Sequence, residues 1–259
     1  MKRDELEAIL PVVEKVNRGA GEIIRSYYGR GVAVDSKADS SPVTRADREA
    51  EAFMREELER HFPDFSVLGE EFGETKRASA YRWIIDPIDG TRSFILNTPL
   101  FGTLLALEHE GVPVLGSIYL PVQDDLLVGS ASTGTFLNGK PCRVSGTKRL
   151  EDAVLLLTSP ECLIAPGVGE RIAALGRRVG LVRGFGDCYG YFMVARGLAD
   201  IMIDAAGIKY YDVAPMLPIM QGAGGAFTTY EGRADFSSDN GVATNGLLHD
   251  EVLSFFRAG

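Results

Sequence analysis

The stretch Tyr81-Arg82-Trp83-Ile84-Ile85 is apolar and β-prone, and it runs directly into Asp86-Pro87-Ile88-Asp89-Gly90-Thr91. No other segment constrains the chain as tightly, because a buried strand that ends on carboxylates must bring them partners. Asp86 is expected where that strand ends. Two carboxylates three residues apart then flank a rigid proline turn, and Gly90-Thr91 can open a helix. On such a turn the Asp86 side chain, the Ile88 carbonyl and Asp89 can converge on one point. Hard oxygens held stiffly suit Mg²⁺, which wants near-octahedral oxygen ligation and usually keeps several waters. The Gly90 and Thr91 amides at a helix N-terminus would offer donors to an anion. Adjacent cation and anion sites outline a phosphatase. Asp-Pro and Asp-Gly are also ordinary turn chemistry, so the hexapeptide alone leaves a solvated loop open.

Three further stretches carry acids in matching contexts. Val67-Leu68-Gly69-Glu70-Glu71 is an apolar strand running into paired glutamates, and adjacent residues of an extended chain point to opposite sides. One glutamate can therefore face a metal while the other stays in solvent or in a hydrogen-bond network. Tyr210-Tyr211-Asp212-Val213-Ala214-Pro215 follows apolar Ile201-Met202-Ile203 and precedes a helical run, which makes Asp212 a natural N-cap. Thr44 can cap the helical segment Arg45 to Arg60, with Asp47 at its third position completing a capping box. Each acid has a structural use by itself. The set together points to a shared metal.

These elements resemble the inositol monophosphatase superfamily of Mg²⁺-dependent, often lithium-sensitive phosphatases. The resemblance rests on Gly69-Glu70-Glu71, on Asp86 to Thr91 and on Tyr211-Asp212-Val213-Ala214, in the family's order. It extends from the first helix nearly to the C-terminus. Tyr211 stands at a packing position where the broader family favours Trp. Within the superfamily the chain is most similar to the histidinol-phosphate phosphatase branch, through Asp89-Gly90-Thr91-Arg92-Ser93-Phe94, Pro99 to Leu107, Gly186-Asp187-Cys188-Tyr189 and Leu217 to Gly225. That branch usually carries an acid seven residues before the third-element Asp. Here the position is Ala205 and the nearest acid is Asp204, so a substrate contact is displaced or lost.

The resemblance implies a layered, alternating α-β-α-β-α sandwich of mixed α+β and α/β character, with the metal site at the junction of its layers. It implies that Glu70, Asp86 and the Ile88 carbonyl hold a first Mg²⁺. Asp86, Asp89 and Asp212 would hold a second, with Asp86 bridging, and a third ion would sit near Glu70. Such cations clamp the attacking and leaving oxygens of an in-line displacement. Glu70 joins Asp47 and Thr91 in the implied catalytic set, in which Thr91 and Asp47 orient and deprotonate the attacking water. Gly90, Thr91, Asp187 and Asp212 are the implied substrate contacts, with the Gly90 and Thr91 amides stabilising charge on the phosphoryl oxygens. Asp187 would meet the ammonium or the ring of histidinol phosphate, or else cap the helix that begins near Cys188. Hydrolysis of histidinol phosphate is the expected reaction. Inositol-1-phosphate, or another small sugar or nucleotide phosphate, is the alternative. A catalytically silent relative that binds a phosphorylated metabolite is the reading from another class.

With 36 acids against 27 bases the formal charge is −9, so cations must reverse the local sign before a phosphate ester can approach. The sign also weighs against nucleic acid, as does the lack of a basic stripe. At 259 residues and 45% hydrophobic, the chain can bury a large core. No apolar run approaches the ~20 residues that span a bilayer, and Met1 to Glu7 is charged, unlike a signal-peptide core. A soluble cytoplasmic protein is expected, with Cys142, Cys162 and Cys188 reduced. Cys188 belongs to the core or to a helix start that lowers its pKa. His61, His109 and His249 lack metal-ligand spacing, which sets zinc aside. Gly222-Ala223-Gly224-Gly225 follows a helix and precedes a strand, the reverse of a dinucleotide fingerprint, and reads as a helix C-terminal turn.

Two N-terminal helices, Asp4 to Tyr28 and Arg45 to Arg60, precede a β-rich middle. Its strands are Trp83–Asp86, Gly102–Glu108, Val112–Leu120, Leu126–Ser130 and Thr135–Leu137, with a hairpin turn at Asn138-Gly139. After about Leu150, strands Ala153–Leu157, Gly180–Val182, Ile201–Ile203 and Gly241–Thr244 alternate with helices Gly169–Arg177, Cys188–Gly197, Val213–Gly222 and His249–Ala258. The expected boundary leaves residues 1–148 with most metal ligands and residues 149–259 supplying Asp212 and substrate contacts. Val32-Ala33-Val34 reads as a hairpin arm, and Lys37 to Ser41 as a mobile loop that closes over the site. Phe94–Leu107 and Ile118–Pro121 are expected to leave apolar surface for a homodimer, the family's usual minimum.

Overall fold

The computed structural model describes residues 3–31, 34–36, 42–205, 207–234 and 240–257. Helices α1 (Arg3–Tyr27) and α2 (Arg45–His61) form where the apolar spacing predicts them. Thr44 caps α2, and the Asp47 carboxylate accepts the Thr44 amide at 2.8 Å, which completes the capping box. Strands β1 (Val34–Ser36) and β2 (Pro42–Thr44) pair antiparallel between the helices. The expected hairpin arm at Val32-Ala33 and the expected lid at Lys37 to Ser41 lie outside the described residues.

The middle of the chain supplies β3 (Ser66–Gly69), β4 (Gly73–Thr75), β5 (Tyr81–Asp89), the short helix α3 (Thr91–Ile95), β6 (Gly102–His109) and β7 (Val112–Leu120). It continues with β8 (Asp125–Ser130), β9 (Gly134–Leu137) and β10 (Lys140–Cys142). These strands form one sheet in the order β10-β9-β8-β7-β6-β5-β3-β4, antiparallel except where β3 meets β5. Asn138 (φ 47°) and Gly139 (φ 76°) both take the left-handed backbone that the two-residue β9–β10 turn requires. The rest of the chain gives β11 (Val154–Leu157), α4 (Gly169–Gly176), β12 (Leu181–Arg183), α5 (Asp187–Ala195) and β13 (Ile201–Asp204). After them come α6 (Tyr210–Val213), α7 (Met216–Ala223), β14 (Ala226–Thr228), β15 (Gly241–Thr244) and α8 (His249–Arg257). The second sheet runs β12-β11-β13-β15-β14, with β11 parallel to both of its neighbours.

Alternation along the strands sorts side chains into layers. Trp83 and Ile85 of β5 pack with Val13, Val16, Ala50 and Met54 of α1 and α2, whereas Ile84 points the other way, to Tyr210 and Ala214. On that second face Leu104, Ile118 and Leu127 meet Phe192 and Ile219 of α5 and α7, and behind these helices lie Met202 and Ala243 of the small sheet. Leu155, Ile201, Ile203 and Val242, on the outer face of that sheet, pack against α4 and α8 through Leu175, Val252 and Phe256. The result is the expected five-layer α-β-α-β-α sandwich. Each large apolar side chain it encloses contributes about 1.5–3 kcal/mol relative to exposure.

Three expectations change. Strand β5 does not stop at Asp86 but runs through Pro87 to Asp89. The helix expected over Val213–Gly222 begins instead at Met216, as the helical run Met216 to Ala223 also read from the sequence, and Val213 ends the separate α6, because Pro215 has no N–H with which to continue it. Glycine at 116 lets this junction lie on the sheet, since a Cβ there would overlap the Pro215 backbone. The apolar surface expected for a homodimer is instead used by the chain's own core. Phe94, Phe101, Leu104 to Leu107 and Ile118 to Leu120 are all buried, and of the large hydrophobics in those stretches only Leu96 is strongly exposed, at 72%. Helices cover both faces of β6 and β7, which sequence alternation alone does not reveal. No helix among the described residues is long and apolar enough to cross a membrane.

Candidate active site

Residues three apart on a regular strand point to opposite faces, yet Asp86 and Asp89 share one. Asp86 pairs with Leu104 and Asp89 with Gly102, so three steps of β5 oppose two of β6. This is a β-bulge, and its extra residue restores both acids to the same side. Thr103 Oγ1 donates to the Pro87 carbonyl at 2.9 Å and holds the bulge in place. Asp86 is buried and accepts the Ile88 amide at 3.0 Å. Asp89 accepts the Cys188 amide at the start of α5. Asp212, on α6, accepts the Lys209 amide at 2.6 Å. One carboxylate oxygen from each of Asp86, Asp89 and Asp212 lies within 4.8 Å of the others. Glu70 follows β3, its amide bonded to the Ile85 carbonyl at 3.2 Å, and its carboxylate charge acts on Asp86. All four acids line a cavity of about 250 Å³, with Ile88, Gly90, Thr91, Arg92, Asp187, Gly207, Lys209 and Tyr211 around them.

Crowding of this kind works against ionisation. Burial holds the Asp86 carboxyl well above the usual carboxylate range, and repulsion from Glu70, Asp89 and Asp212 adds to it. Asp89 is also held well above that range, by enclosure and then by the charges of Asp187 and Asp212. Burial pushes Asp212 up to about 7 and Asp187 up to about 6. Asp47 is pushed up to about 6 by burial, against the bonds from Thr44 and with the help of the Glu70 charge. The donor set is hard oxygen throughout, with no sulfur or imidazole, and a divalent cation would relieve its repulsion. It fits Mg²⁺. Among the described residues no other His, Cys, Asp and Glu group brings three ligand atoms so close.

Gly90 (φ 85°) is the N-cap of α3, and the Ile88 carbonyl accepts Thr91 Oγ1 at 3.0 Å. Thr91 therefore spends its one hydroxyl proton on that carbonyl rather than on Asp47, one of whose carboxylate oxygens takes Thr44 Oγ1 at 2.6 Å. Asp212 is not an N-cap: it sits at the third position of α6 and reaches back to the preceding amide. Asp187 is no side-chain cap either. Helix α5 begins at Asp187, whose backbone is left-handed (φ 51°), and a Cβ added at Gly90 would lie 3.1 Å from its Oδ2. Burial pushes the Cys188 thiol well up, so the helix start does not activate it. Asp204, the acid next to Ala205, is buried, accepts the Tyr191 hydroxyl and is pushed up to about 8 by burial.

Sequence reasoning did not find Arg92 and Lys209 at the cavity, although both adjoin residues it singled out. It also passed over Glu51, whose signal is its place one turn after Asp47 on α2. The Glu108 carboxylate, which receives Arg82 at 2.8 Å and the Tyr210 hydroxyl, carried no local signal at all.

A model of the inositol monophosphatase family matches residues 5–258. The histidinol-phosphatase of Chlorobaculum parvum is 39% identical over 252 residues, covering 96% of this chain and 95% of that protein. The histidinol-phosphatase of Mycobacterium tuberculosis is 36% identical over 265 residues, covering 100% of each. Among solved structures, the extragenic suppressor protein suhB of Bartonella henselae matches with a TM-score of 0.90 at 32% identity, covering 97% of this chain and 99% of that one.

Proposed function

The chain belongs to the inositol monophosphatase family of metal-dependent phosphoric monoester hydrolases, and from that premise we propose that it is a Mg²⁺-dependent histidinol-phosphate phosphatase. The observation that carries the reading is the meeting of Glu70, Asp86, Asp89 and Asp212, from three segments of the chain, at one cavity. Relatives named histidinol-phosphatase support the substrate. So does Asp187, an acid in the same cavity outside the ligand set, whose carboxylate would receive an ammonium or imidazolium.

In this reading Glu70, Asp86 and the Ile88 carbonyl would hold one Mg²⁺, Asp86, Asp89 and Asp212 would hold a second, and Glu70 would serve any third ion. Bound there, divalent cations supply charge neutralisation for the phosphoryl oxygens and the departing alkoxide, and they acidify water. The chain's own groups do the rest. The amides of Gly90 and Thr91, in the first turn of α3, have no intrahelical partner and face the phosphoryl oxygens. Thr91 Oγ1 orients the attacking water, and Asp47 takes its proton. A carboxyl pushed up to about 6 is a base matched to neutral pH. Asp212 also contacts the substrate alcohol, and Asp187 fixes its amine or ring. A cytoplasmic homodimer, from the family resemblance, completes the proposal.

Inositol-1-phosphate is the second reading, favoured by Ala205 and by Asp204 being turned to Tyr191 rather than to the cavity. Steady-state hydrolysis of both esters, with and without Mg²⁺, decides between them. Histidinol phosphate is expected to be the better substrate, and only with Mg²⁺. Faster turnover of inositol-1-phosphate would transfer the substrate assignment. A protein that hydrolyses no phosphate ester in a broad panel would be a silent binder.

A further inference from the structure

Glu51 lies on α2 one turn after Asp47, with its side chain fully buried. One carboxylate oxygen accepts the Glu71 amide at 2.7 Å. The other accepts the Phe72 amide at 3.1 Å and Arg55 Nε at 2.8 Å. Arg55 reaches on to the Gly73 carbonyl and to Thr75 Oγ1. A single ion pair on α2 therefore grips the β3–β4 turn, immediately after Glu70, along most of its length. Glycine at 69 is part of the fit, because a Cβ there would overlap the Glu51 carboxylate. A buried ion pair is a poor device for stability alone, since apolar side chains of the same volume often serve as well or better. Here the carboxylate does something they could not: it satisfies two backbone amides of a tight turn.

We infer that Glu51 is a positioning residue, which aims Glu70 at the cavity by fixing the backbone on its C-terminal side. The inference rests on the proposed reading of Glu70 as a metal ligand. A carboxylate only accepts, so it can serve both amides and Arg55. Glutamine offers one oxygen, and its NH₂ would face a backbone N–H. Groups that orient metal ligands typically shift affinity or activity about 10- to 100-fold when replaced.

The test uses Glu51→Gln in the full chain, with Mn²⁺ binding read by calorimetry beside thermal unfolding and kinetics. The expected result is a Kd for Mn²⁺ about 10-fold weaker, and a matching rise in the Mg²⁺ needed for half-maximal activity, with KM at saturating Mg²⁺ unchanged. Met54→Ala, on the same helix, loses only core packing and is expected to lower the midpoint without moving the Mn²⁺ Kd. If Glu51→Gln does not fold, Glu51→Asp, which keeps the charge and withdraws it by one methylene, is read in its place. Wild-type Mn²⁺ affinity in the folded variant overturns the inference, and so does an equal loss in Met54→Ala. Wild-type protein that takes up no Mn²⁺ sinks the proposed function itself, before any variant is compared.

Discussion

At the scale of single residues, Asp86 shows how the site opposes the fold that builds it. Enclosure and three acidic neighbours hold its carboxyl well above the usual range, so its charge is a burden on the metal-free protein. Asp86→Asn keeps the acceptor for the Ile88 amide and removes that charge. It is expected to abolish turnover while raising the thermal midpoint measured in chelator. Relief of about 1 kcal/mol corresponds to roughly 2–4 °C in a chain of this size. A lower midpoint with activity retained would take Asp86 out of both roles. The identity of this acid was legible because its signal is local, a β-prone run ending on Asp-Pro. The bond from the Cys188 amide to Asp89 was not, since it joins residues 99 apart in sequence. For the same reason Asp187 could be read as a cap when that helix end is already served by Asp89.

The cap of α2 and the β9–β10 turn could be read directly, because Thr44 with Asp47 and Asn138 with Gly139 each act within four residues. The Asp86–Asp89 stretch was expected to turn, since proline there reads as punctuation. A bulge accommodates it instead, because its extra residue leaves the ladder and needs no N–H. The α2 cap also bears on chemistry. Thr44 Oγ1 accepts the Ala46 amide at 3.2 Å and donates to Asp47 at 2.6 Å, and those bonds to Asp47 draw its carboxyl down against burial. Thr44→Ala is expected to cost about 1 kcal/mol of stability as a lost cap. It should also let the Asp47 carboxyl rise. A base must be ionised to act, so the acid limb of the kcat–pH profile should move to higher pH. An unmoved limb would mean that the limb does not belong to Asp47.

For the whole molecule, the site is a seam. Glu70, Asp86 and Asp89 come from the large sheet, while Asp212 and Asp187 stand on helices that separate it from the small one. Cations bound there would join two layers, so metal, pH and stability should be linked. Asp47 and Asp187 are raised to about 6, Asp212 to about 7 and Asp204 to about 8, from an ordinary 3.8. Between 3.8 and those values the folded chain holds protons that the unfolded chain has released, so stability falls as pH rises through that window. The depressed carboxylates, Glu49, Glu57, Glu74, Asp124 and Glu151, act oppositely. Their contribution is present above about 4.5 and lost below it, and solvent screens it at all but the buried Glu57. Chelated protein should therefore be most stable near about pH 5 and lose stability toward about pH 8. Mg²⁺ needs ionised ligands and binds only the folded chain, so its stabilising effect should grow over the same interval. Thermal midpoints in EDTA and in saturating Mg²⁺, compared across that range, read both trends at once. If chelated protein kept a constant midpoint throughout while Mg²⁺ raised it equally at every pH, the acids at the seam would already be ionised before any cation arrived. The repulsion that makes the fold wait for its metal would then be absent.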